Sequence, residues 1–220
     1  MDERILHLLS DSFWHLILPG IKVTIPLTLI SFTLGLALAL ACALVRVGRV
    51  PVLSGIVRFY VWVIRGTPLL VQLFIIFYGL PNLGVTIDPI PSAIIAFTLN
   101  IGAYCSETIR GAIESVPKLQ YEAGSSIGLS HLQIMFLIII PQALRSAFPA
   151  LFNSLISLVK DTSLAAGITV TEMFMSAQRI AARTYEPFWL YIEVAFIYLI
   201  FCTVLTWVQS AGEKRLSRYV

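Results

Sequence analysis

Long apolar runs separated by short polar ones set the rhythm of this chain. Val23 to Val45 carries no charge, and a helix needs about 20 apolar residues to cross about 30 Å of hydrocarbon, so this run predicts a first membrane span. Within it Ser31, Gly35, Ala39 and Ala43 recur every four residues, a ridge of small side chains against which a second helix can pack closely. Arg46 and Arg49 close the run. Pro51 suits a first helical turn, and Val52 to Ile64 reads as a helix with Arg58 and Arg65 on one face. Arg65-Gly-Thr-Pro-Leu69 interrupts it, with Thr67 expected as N-cap and Pro68 as the first residue of the next helix. Leu69 to Leu80 then completes a broken second span. Ser92 to about Thr108 predicts a third span with a charged exit at Glu107, Arg110, Glu114 and Lys118, stopped by Pro117. Met135 to Val159 predicts a fourth, with kinks at Pro141 and Pro149. Thr171 to Arg183 has the pattern of an amphipathic helix, and Pro187 to about Gln209 predicts a fifth span.

The stretch between the third and fourth spans differs in kind. Glu122, Ser125, Ser126 and Gln133 are polar, while Ile127, Leu129, Leu132 and Ile134 are apolar. A helix of that mixture lies in an interface better than it crosses one. Gly128 allows the backbone to turn where a Cβ would obstruct it.

Composition agrees with a membrane protein. Of 220 residues 58% are hydrophobic and 12% charged, against about 25% charged in soluble domains, and the mean hydropathy is +0.88. The fold class expected is therefore an all-α polytopic membrane protein, a single transmembrane domain over 1–220. The net charge of +3 comes without a Lys/Arg run that could track a phosphate backbone, which disfavours nucleic acid. Cys42, Cys105 and Cys202 sit in apolar stretches without CxxC or metal spacing and read as small core residues. The N-terminal Met-Asp-Glu-Arg is not the cationic leader of a cleaved signal peptide, so the first span is expected to be retained.

Five spans place the termini on opposite sides. With the C-terminus in the cytoplasm, ten of the 15 Lys/Arg fall inside (Arg46, Arg49, Arg58, Arg65, Arg110, Lys118, Arg145, Lys214, Arg215, Arg218) and five elsewhere (Arg4, Lys22, Lys160, Arg179, Arg183). The positive-inside rule then favours an external N-terminus, and it puts the polar stretch after the third span in the cytoplasm.

Catalytic motifs are missing. No Gly-Lys-Ser/Thr occurs, so the chain has no Walker A loop for ATP phosphates. His7, His15 and His131 stand far apart without HExxH, so no metal site is expected, and no Gly-x-Ser-x-Gly elbow is found. The informative polar residues lie inside the spans. On the fourth, Gln142, Arg145, Pro149, Asn153, Ser157 and Lys160 follow spacings of 3, 4, 4, 4 and 3, which is one helix face. Charges in hydrocarbon are costly and usually face a partner helix or a wet path. Lys160-Asp161-Thr162-Ser163 ends that face with both charge signs and two hydroxyls. A zwitterionic amino acid asks for such a set: a cation for its carboxylate, an anion for its ammonium, and hydroxyls to orient it. The alternative is an interfacial Lys-Asp pair snorkelling from the span's end. Gln72 and Tyr78 on the second span, and Asn100 and Tyr104 on the third, either line the same path or make ordinary interhelical hydrogen bonds.

Three separated motifs carry a resemblance. Glu122-Ala-Gly124, then Gly128, then Ile138-Ile-Ile-Pro141 resembles the "EAA" signature of bacterial ABC importer permeases, with Gly124 in place of the common third Ala and Ile140 in place of Leu. Arg65-Gly-Thr-Pro-Leu69 and Ser157-Leu-Val-Lys-Asp-Thr-Ser-Leu-Ala-Ala166 resemble segments of the polar amino-acid permeases, the histidine, glutamine and cystine uptake group. Asp88-Pro-Ile-Pro-Ser92 and Ile101-Gly-Ala-Tyr-Cys-Ser-Glu107 look most like the cystine-type members. The resemblance implies a type I ABC importer permease fold in a bacterial cytoplasmic (inner) membrane, with a cytoplasmic coupling helix within 118–134. It implies that Glu122, Ala123, Gly124 and Gly128 dock on a separate ATPase. The implied assembly holds two permeases (a second copy or a paralogue), an ABC ATPase dimer that carries ATP and Mg, and an extracytoplasmic substrate-binding protein. No cofactor is expected in this chain. The remaining alternatives are a secondary, ion-coupled transporter, which would show two similar halves, and a membrane anchor without a transport path.

Overall fold

Every element among the described residues, 3–216 of a computed structural model, is helical. Helix α1 spans Glu3–Val47, so the first apolar run is only the second half of a longer helix. At 1.5 Å per residue its 45 residues extend about 67 Å, twice the hydrocarbon thickness. A π-helical stretch, Gly20–Thr24, joins the halves where Ile25 N–H bonds to the Gly20 carbonyl. Pro26 lies just beyond it, and a proline has no N–H for the α ladder. The first half buries Ser12 and Leu16 against Met173, Ala177, Val194 and Ile197 of the last two helices. That tertiary partner, invisible in a hydropathy scan, is why Glu3–Pro19 is ordered.

Helices α2 (Leu53–Gly66) and α3 (Leu69–Leu83) form the broken span, bent by 106°. The cause is local. A residue before proline is driven out of the α region, and Thr67 is extended at φ −122°, ψ 145°. Thr67 is not the cap expected of it: its hydroxyl donates backward to the Val63 carbonyl at 2.9 Å, and Pro68, also extended, precedes the first helical residue, Leu69.

Helix α4 (Pro89–Ser115) runs past the expected exit at Thr108, because its charges are paired within the bundle. Glu107 meets Arg46 and Arg110, and Arg110 also meets Glu114. The ridge of Ser31, Gly35, Ala39 and Ala43 is buried against α4. A Cβ added at Gly35 would lie 2.6 Å from Ile101 Cγ2, so glycine is what allows this approach. Tyr60 of α2 ties into α4 through its hydroxyl, which donates to the Leu99 carbonyl at 2.6 Å.

After α4 comes the short α5 (Lys118–Ser126), then α6 (His131–Ile168), α7 (Met173–Thr184) and α8 (Pro187–Leu216). Helix α6 begins earlier than the expected Met135, at a Ser130/Gln133 capping box. It continues past Val159 as a 3-10 turn over Thr162–Ile168. Phe97, Ile109, Ile139, Leu158 and Ile168 anchor the main core among α1, α3, α4 and α6. Large apolar side chains such as Leu29, Phe59, Trp62, Phe196 and Trp207 point outward, as lipid-facing residues do. Cys42 and Cys105 are buried and unbridged, as small core residues.

Candidate functional site

The break at Gly66–Pro68 opens a polar cleft in the bundle. Thr67, Pro68 and Leu69 form one wall, Asn100 and Tyr104 of α4 a second, and Asn153, Ser157 and Asp161 of α6 a third, enclosing about 470 Å³. Asn153, Ser157 and Asp161 are four residues apart, so α6 presents them in line. Arg65 stands at the rim, its guanidinium 5.1 Å from the centroid of the Tyr104 ring. The cleft thus has a carboxylate inside, amide and hydroxyl groups around it, and a cation–π pair at its edge.

This arrangement differs from the expected face in its charges. Three residues beyond Ser157 is about −60° around the helix and four is about +40°, and Asp161, not Lys160, faces the cleft. Lys160 and Ser163 turn toward α8 and line a separate cleft of about 530 Å³ with Tyr191, Tyr198 and Cys202. Lys160 and Asp161 line different clefts, and Arg65 stacks on Tyr104 at the edge of the carboxylate's cleft. Arg65, expected on one face with Arg58 and at the head of the Arg65–Leu69 motif, was not among the expected site residues. Its signal was its place beside the proline that breaks a span.

The other expected residues serve inside the chain. Gln72 is buried, and its amide nitrogen reaches the carbonyls of Ile64 (2.8 Å) and Thr67 (3.1 Å) and the Thr67 hydroxyl (2.9 Å), across the break. The Tyr78 hydroxyl donates to the Gly167 carbonyl at 3.1 Å. Thr162 is buried and donates to the Val159 carbonyl, and Ser163 donates to the Lys160 carbonyl, both at 2.7 Å. Glu172 lies outside the expected set. Fully buried, it accepts from the Phe174 and Met175 N–H groups (2.8 and 2.6 Å) as the N-cap of α7, and from the Tyr198 hydroxyl (2.9 Å) of α8. Burial pushes its carboxyl above the usual range, against the opposing pull of these donors.

The second feature is α5. Leu119, Glu122, Ala123 and Ser126 share one face by helical spacing, Ile127 follows at the C-cap, and all are exposed. Leu119 is 69% and Ile127 75% exposed. The opposite face is seated: a Cβ on buried Gly124 would come within 2.8 Å of Ile134 Cγ1. The nine-residue helix is ended by Gly128, at φ 81°. The Leu129 N–H returns to the Gly124 carbonyl at 3.1 Å and the Gly128 N–H to the Ser125 carbonyl at 3.0 Å, which satisfies the last carbonyls. The segment 118–134 is therefore a helix, a turn and the start of α6 rather than one continuous element.

Residues 31–218 match the family model described as "Binding-protein-dependent transport system inner membrane component". The L-cystine transport system permease protein TcyB of Bacillus subtilis (strain 168) is 54% identical over 97% of this chain and 92% of its own length. TcyL, a second L-cystine transport system permease protein of that organism, is 36% identical over 91% of this chain and 88% of its own length. Among solved structures, an amino acid ABC transporter crystallised with histidines superposes with a TM-score of 0.88 at 32% identity, covering 98% of this chain and all of that one. The inward-facing MetNI methionine ABC transporter superposes with a TM-score of 0.71 at 19% identity over 98% of this chain and 99% of that one, a likeness of fold.

Proposed function

The chain belongs to the family of binding-protein-dependent transport system inner membrane components, and we propose that it moves a polar amino acid inward by alternating access, with L-cystine the first substrate to test. The observation that carries this reading is the cleft with Asp161 inside and Arg65 at its rim, where the second span breaks. An α-amino acid presents an ammonium and a carboxylate, and these two side chains complement them. Asn100, Tyr104, Asn153 and Ser157 supply donors and acceptors for orientation. Cystine carries the zwitterionic pair at both ends, and the 54% identical L-cystine permease supports it.

ATP hydrolysis belongs to a separate ATPase dimer, which holds ATP and Mg and grips α5 through Glu122, Ala123 and the apolar residues beside them. The seat of Gly124 on Ile134 makes α5 a lever rather than a tether. Closure of the ATPases draws two such levers together and rocks the spans between outward-open and inward-open states. A second permease, copy or paralogue, completes the passage, and an extracytoplasmic binding protein delivers substrate at the end where Arg4 meets Glu186 at 3.7 Å. In this topology the N-terminus is external and the C-terminus cytoplasmic. The arginines gathered where α1 ends and α4 exits support that orientation.

The complex reconstituted in vesicles with its ATPase and binding protein, offered labelled amino acids including cystine, tests the reading. ATP-dependent uptake of cystine or another polar amino acid is expected. Uptake driven by an ion gradient without ATP indicates a secondary transporter, and absence of uptake for the whole panel indicates an anchor; either result rejects the proposal.

A further inference from the structure

Four arginines converge where α1 ends, α2 begins and α4 exits. Arg46, Arg49, Arg58 and Arg110 line a cleft of about 360 Å³ with Ser54 and Glu114. Two carboxylates and two of the guanidiniums satisfy one another: Arg46 pairs with Glu107, and Arg110 bridges Glu107 (2.8 Å) and Glu114 (2.6 Å). Arg49 and Arg58 are then cations in excess of the carboxylates facing the cleft. The loop that carries Arg49 is pinned, since the Ser54 hydroxyl donates across it to the Val45 carbonyl at 3.0 Å. Two excess guanidiniums on one concave surface fit an oxyanion, and bidentate donors favour phosphate.

The apolar surface beside the cleft decides which phosphate. From the cleft, α2 continues to Phe59 and Trp62, exposed by 64 and 70%, with Trp62 one turn beyond Arg58 on nearly the same face. The Phe59 and Trp62 rings lie 5.9 Å apart. Trp62 lies about 6 Å beyond Arg58 along the axis, within reach of the acyl chain of a lipid whose headgroup sits on Arg58. A free anion has no use for this exposed aromatic pair, whereas a phospholipid occupies the cleft and the pair together. We propose that Arg49 and Arg58 bind the headgroup of an anionic phospholipid whose acyl chain lies along Phe59 and Trp62. The site is independent of which amino acid is carried.

The intact complex, reconstituted in phosphatidylcholine vesicles containing a minor fraction of brominated phosphatidylglycerol or brominated phosphatidylcholine, supplies the test. The readout is quenching of Trp62, in a permease whose Trp14, Trp189 and Trp207 are replaced by Phe, taken as the difference from the same protein carrying W62F. Brominated phosphatidylglycerol is expected to quench preferentially. The preference should fall roughly fivefold for R49Q or R58Q alone and vanish in R49Q/R58Q, while R49K/R58K keeps most of it. The single variants keep the test decisive where the double one does not assemble. Equal quenching by both lipids, a preference unchanged in R49Q and R58Q, or loss of the preference on adding inorganic phosphate overturns the proposal. So does a Trp62 that neither lipid quenches, which would mean that protein covers it.

Discussion

Gln72, on the helix after the mid-span break, donates its side-chain amide to the carbonyl of Ile64, on the helix before it, at 2.8 Å. The same nitrogen lies 3.1 Å from the Thr67 carbonyl. The break leaves α2 carbonyls without helical partners, and within hydrocarbon such groups must be satisfied by the protein. Gln72 is therefore the clasp that permits the 106° bend. Gln72→Leu should lower stability by about 1–3 kcal/mol, read as a lower melting temperature of the purified complex. An unchanged melting temperature would show that the bend needs no clasp.

The contact of α1 with α4 has no room for a larger side chain at Gly35, where an added Cβ would already be 2.6 Å from Ile101 Cγ2. Gly35→Leu should destabilise by about 1–3 kcal/mol through overpacking. Ile101→Ala in the same chain should recover part of that loss, since the two sites share one contact. Additive effects in the double variant would place the two residues apart.

Glu172 fastens α7 to α8 with a carboxylate that burial holds above its ordinary pKa. A folded pKa above the unfolded one gives stability that is complete below the unfolded value, about 4.3, and is lost as pH rises through the folded value. Glu172→Gln cannot ionise. The difference in melting temperature, variant minus parent, should therefore shift in the variant's favour as pH rises through that window. A difference independent of pH would show that the carboxyl is not raised.

In the proposed passage Asp161 meets the substrate ammonium. A charged hydrogen bond contributes about 1.5–3 kcal/mol, so Asp161→Asn should raise the KM for uptake roughly ten- to a hundredfold. ATP hydrolysis without substrate should be unaffected. An unaltered KM would remove Asp161 from the substrate's path.

Much of this architecture is legible from residue patterns because it rests on local chemistry. Pro68 forces Thr67 out of the helix whatever surrounds it, and the turn at Gly128 follows from a left-handed backbone that glycine adopts freely. The five apolar runs follow from the thickness of a membrane. What was not legible depends on partners distant in sequence. The Glu3–Pro19 segment carries acids and histidines that mask its helical face, and that face has meaning only against Met173 and Val194. Thr67 looks like a cap until Gln72 and Val63 are seen to engage it. Whether Lys160 or Asp161 faces the cleft is a matter of about 100° of helix rotation, set by where α8 packs. Arg65 reaches the edge of the cleft only because α4 brings Tyr104 beneath it.

The central claim is that α5 is the handle by which a separate ATPase drives the spans, and one measurement bears on it most directly. Substrate-stimulated ATP hydrolysis by the reconstituted complex can be compared between the parent permease and E122A/I127D, both substitutions lying at exposed positions, on α5 and at its C-cap, and leaving the seat of Gly124 intact. The account predicts a folded permease whose ATPase co-purifies poorly and whose hydrolysis no longer responds to substrate. Full co-purification with undiminished stimulation would contradict it.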